Sequence, residues 1–109
     1  MLTVTVDTIA GAEIIQTLGL VRGATVRAKH IGTDIVAGFR NLVGGEIKSY
    51  SSLLAGAREQ ALDRMIEDAR QLGADAVIGM RMETSAIMGG ASEIVAYGTA
   101  VRLADHAAN

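Results

Sequence analysis

His30 and Asp34 stand four residues apart, a spacing that puts an imidazole and a carboxylate on one helical face, within reach of a single metal ion. Two ligands do not close a site, which needs about four; copies of the chain gathered around an axis would have to supply the rest. His30 also precedes Thr33, whose hydroxyl suits a helix cap, so the simpler account is a histidine at a strand end and an aspartate beside a helix N-terminus. Arg40 and Arg58 offer a second chemistry, because a guanidinium grips a carboxylate or a bound anion through two parallel hydrogen bonds. With Asp34, Glu46 or Glu83 as partners, these arginines make structural ion pairs; facing an anion, they make a pocket. Gly44 and Gly45 could turn backbone amides towards that anion. They lack the spacing and the lysine of a phosphate loop, and a helix stop followed by a tight turn also explains them.

Weaker signals fill out the inventory. Met80, Met82 and Met88 carry thioethers that a soft cation such as Cu(I) would accept, although strand methionines ordinarily fill gaps in a core. Glu59, Asp63 and Glu67 recur at four-residue spacing, as a solvated helix face does. No serine sits in a Gly-x-Ser-x-Gly turn, the chain has no cysteine, and His106 lies close to the C-terminus, so nucleophile, base and orienting group do not assemble. The reading leans away from an enzyme.

The elements that must position these groups follow from composition and periodicity. The 109 residues are the size of one domain, expected over 1–109 with a tail at 104–109. Half the residues are apolar, yet Phe39, Tyr50 and Tyr97 are the only aromatic ones, so small aliphatic side chains and methionine must build the core. Thirteen glycines and no proline favour tight turns and close backbone approach. A net charge of −2 with scattered basic residues argues against nucleic acid and anionic membranes as partners. No apolar run approaches the roughly 20 residues of a membrane span, and a cytoplasmic location is the expectation.

Leu2, Val4 and Val6 alternate with polar residues as in a short strand, and residues 13–28 predict one long bent strand or two in succession. Thr33 opens a short helix that Gly44 ends, with Ile35, Val36, Phe39, Leu42 and Val43 on one face. Gly38 inside it costs about 1 kcal/mol against alanine, which suggests a closely packed neighbour. A long helix begins near Ser49 or Ser51 and runs to Gly73, along the stripe Leu54, Ala57, Ala61, Met65, Ala69 and Leu72. On a helical wheel Arg58 falls within this apolar arc. Residues 76–83 and 93–103 predict a hairpin joined by a long connection at 84–92. The fold class is therefore α+β, a two-layer sandwich of an antiparallel sheet with one long and one short helix, in the order β(β)-α-α-β-β. Neither face of the last strand is strongly polar, so a homo-oligomeric interface is expected over the sheet face away from the helix.

In combination, residues 34–45, Ala57-Arg58-Glu59, residues 72–79 and Gly98-Thr99-Ala100-Val101 resemble the YbjQ family of small bacterial and archaeal proteins, across nearly the whole chain. The resemblance implies a dodecin-like subunit assembled into a ring, a pentamer, in the cytoplasm. It implies no established activity; the family's label is heavy-metal binding, which makes a divalent metal ion the one cofactor to consider. Flavin does not follow from the topology, since the chain has no tryptophan to stack on its ring system. The leading expectation is a non-enzymatic homo-oligomeric ring holding a small ligand or ion where subunits meet. A metal-binding protein is the alternative, and an enzyme whose site is shared between subunits is the second.

Overall fold

The computed structural model describes residues 1–28, 46–88 and 90–104. They form strands β1 (Leu2–Thr3) and β2 (Ile14–Ala28), helix α1 (Glu46–Gln71), and strands β3 (Ala76–Met88) and β4 (Ala91–Leu103). The α+β class holds. The expected short helix at 33–44 lies outside the described residues.

β4 is central, with β2 and β3 antiparallel on either side, and the sheet order is β1-β3-β4-β2. The sheet is mixed, where an antiparallel one was expected, because β1 runs parallel to β3 through Leu2↔Ala76 and Thr3↔Val77. β1 is also shorter than its alternation suggested. β3 shifts register between Ile78 and Arg81, and there irregular bonds replace the ladder: Gly79 N–H donates to Val6 O and Met80 N–H to Val4 O. Residues 14–28 form one strand, with register shifts between Ile14 and Gln16 and between Thr17 and Gly19.

The hairpin is longer than expected and its connection shorter. Residues 84–88 and 91–92 belong to the strands, and Met88 pairs with Ala91. Their small and β-branched side chains suit a pleated surface.

α1 starts at Glu46, ahead of the expected serines. It ends as predicted. Gly73 adopts φ 78°, its N–H donates to Arg70 O, and Ala74 N–H donates to Ala69 O, the paired bonds of a Schellman cap.

One sheet face packs on α1. Ala57, Ala61, Met65 and Ala69 from the helix meet Val21, Val77, Ile94, Ala96 and Ala100 from the strands, all buried. Leu54, Leu62, Ile66, Met80 and Met82 pack around them. Buried Thr25 donates its hydroxyl to Ala57 O at 3.1 Å, tying β2 to the helix backbone. The opposite face carries Leu20, Arg22 and Val26 from β2, all exposed, beside half-buried Val95, Tyr97 and Thr99 from β4.

Candidate functional site

Of the sequence-predicted site residues, His30, Asp34, Arg40, Gly44 and Gly45 lie outside the described residues. Arg58 is described and is exposed, which corrects its expected place in the apolar arc. The physical reason is drift. Each step of four residues advances about 40° around an α-helix, so the buried row Ala57, Ala61, Met65, Ala69 winds along α1 as the sheet twists beneath it. A fixed wheel averages over that winding. At the level of residue 58 the buried direction points through Ala57 and Ala61, and Arg58 stands roughly a quarter turn away.

The same winding explains a row that periodicity did not single out. Gln60, Arg64 and Asp68 keep a constant quarter turn from the buried row on its other flank, above the outer edge of β2. Asp68 Oδ2 accepts the Arg22 N–H at 3.1 Å, Arg64 Nη1 donates to Ala24 O at 2.6 Å, and Arg27 Nη2 donates to Gln60 Oε1 at 2.8 Å. Arg27 Nη1 also reaches Val26 O at 3.2 Å. Backbone groups of the edge strand that would otherwise invite another chain are thus engaged by side chains. The i, i+4, i+8 spacing of Gln60, Arg64 and Asp68 was the signal available for this.

A recess of about 370 Å³ opens beside this row, lined by Arg22, Arg64, Glu67, Asp68 and Gln71. Of the charged residues in its wall, Arg64 and Asp68 are committed to the strand edge, and Arg22 is bound there through its backbone N–H. The recess is therefore a by-product of the edge clamp. Replacing Asp68 with alanine is expected to lower the unfolding free energy by about 1 kcal/mol, read from urea melts. Glu67→Ala should change it by a few tenths at most, since its contact with Arg70 is an exposed pair at 3.7 Å.

A second polar group stands on the sheet face away from α1. Tyr97 donates its hydroxyl to Glu83 Oε1 at 2.9 Å across β4 and β3, and Arg22 and Arg81 flank Tyr97 in register. Arg81 Nη1 also donates to Thr5 O and Met80 O, both at 2.8 Å, fastening the N-terminal segment to β3. The hydrogen bond to Glu83 raises the Tyr97 phenol above its ordinary value, with desolvation and the nearby carboxylate charge acting the same way and Arg81 opposing. A raised phenol stabilises the fold fully below the unfolded value near pH 10 and loses that contribution as pH climbs through the folded value. Titration followed by phenolate absorbance should therefore show a late-ionising component that Tyr97→Phe removes, and Glu83→Gln should bring its midpoint down.

Met80 and Met82 pack against the core, which suits gap filling rather than metal capture. Glu59, Asp63 and Glu67 are exposed on the outer face of α1. Among the described residues no three of His, Asp and Glu lie close enough to hold a metal ion, and no helix is long and apolar enough to cross a membrane.

Comparison with known proteins adds the following. The YbjQ family model, described as "Putative heavy-metal-binding", matches residues 1–104. A UPF0145 protein of Methanosarcina acetivorans is 56% identical over 103 residues, covering 94% of this chain and 97% of the relative. One from Halorubrum lacusprofundi is 60% identical over 97 residues, covering 89% and 93%. One from Photobacterium profundum is 57% identical over 103 residues, covering 94% and 100%. Among solved structures, a protein of unknown function from the DUF74 family of Pediococcus pentosaceus matches with a TM-score of 0.64 at 16% identity, covering 94% of this chain and 97% of that one. At that identity the likeness concerns the fold.

Proposed function

The chain belongs to the YbjQ family, and we propose that it is a non-enzymatic cytoplasmic protein that assembles into a homo-oligomeric ring and holds a small ligand or ion where subunits meet. The observation that carries this reading is the sheet face away from α1, where, among the described residues, Leu20 is 64% and Val26 55% exposed. Large apolar side chains on an open sheet face call for a cover, and further copies of the chain supply one without another partner. The finer form is a dodecin-like subunit with a second, short helix at 33–44 and five copies to the ring. Arg40, Arg58, Gly44 and Gly45 are then the groups that meet an anion. The polar side chains on the described surface fit the non-enzymatic reading, since Arg64, Asp68 and Arg81 serve the backbone and Tyr97 serves Glu83. Light scattering at micromolar concentration tests the ring: several times 11.3 kDa supports it, and 11.3 kDa sinks it.

The family description favours a second reading, a divalent metal held by His30 and Asp34 from several copies. Protein purified without an affinity tag should then carry near-stoichiometric metal and melt higher with Zn²⁺, Cu²⁺ or Ni²⁺. Absence of both effects rejects it.

A further inference from the structure

We draw no further inference here: the strongest candidate, the cross-strand row of Arg22, Tyr97 and Arg81 beside Glu83 on the sheet face away from α1, has Tyr97 and Arg81 already engaged by Glu83 and by the carbonyls of Thr5 and Met80, and nothing in the structure shows what covers that face.

Discussion

A Gly23→Ala chain is expected to lose about 3 kcal/mol of stability, at the upper end of what overpacking a core costs. A β-carbon at residue 23 would meet the carbonyl oxygen of Ala61 and the amide nitrogen of Met65, both helix backbone, and Arg64 Cβ at 2.7 Å. None of these is the far end of a flexible side chain, so α1 would have to lift off β2 and weaken the packing of Ala57, Ala61 and Met65. Propensity argues the other way. Alanine in a strand interior is ordinarily better than glycine by roughly 0.5–1 kcal/mol, so the sign of the change isolates the close approach. Gly56 is the control: a β-carbon there has nothing within 4 Å, and Gly56→Ala should stabilise the helix by up to about 1 kcal/mol. Urea melts of the two variants against the parent protein measure both.

Met65→Ala should cost a further large amount, about 2–5 kcal/mol. Among the described residues Met65 is the largest fully buried side chain, and it sits among small ones, with Ala57, Ala61, Ala69, Ala96 and Ala100 in the same cluster. Alanines have no free torsions with which to fill a void, so the cavity left by the thioether chain would stay largely open. Met65→Leu keeps nearly the same volume and should cost less than about 1.5 kcal/mol. A small difference between the alanine and leucine variants would mean that the helix settles onto the sheet when the side chain is removed. That result would contradict the rigid contact read at Gly23.

What the sequence disclosed and what it hid divide along physical lines. The apolar stripe of α1 and its Gly73 stop were legible because both are local signals, a period and a backbone conformation. β4 was legible for the same reason. β1 was overextended because Leu2, Val4 and Val6 alternate correctly, while the shift in β3 that breaks the ladder belongs to its partner. Residues 84–92 read as a long connection because Thr, Ser, Ala and Gly suit loops and small-residue strands alike; pairing along β4 settles which. Arg58 was misplaced by a wheel that does not wind, and the same winding concealed the edge-facing row of Gln60, Arg64 and Asp68. Tyr97 and Glu83 were out of reach for another reason, since their hydrogen bond depends on strand register. Five of the six proposed site residues lie between β2 and α1 and outside the described residues. The site therefore stands on family membership and residue chemistry, whereas the sheet and α1 stand on geometry.

The claim on which the functional account turns is that the exposed sheet face away from α1 belongs to an assembly of identical chains. Native mass spectrometry of tag-free protein over a dilution series tests it most directly. The account predicts one dominant species at a fixed multiple of 11.3 kDa that persists into the micromolar range. A single species at 11.3 kDa throughout the series would contradict it.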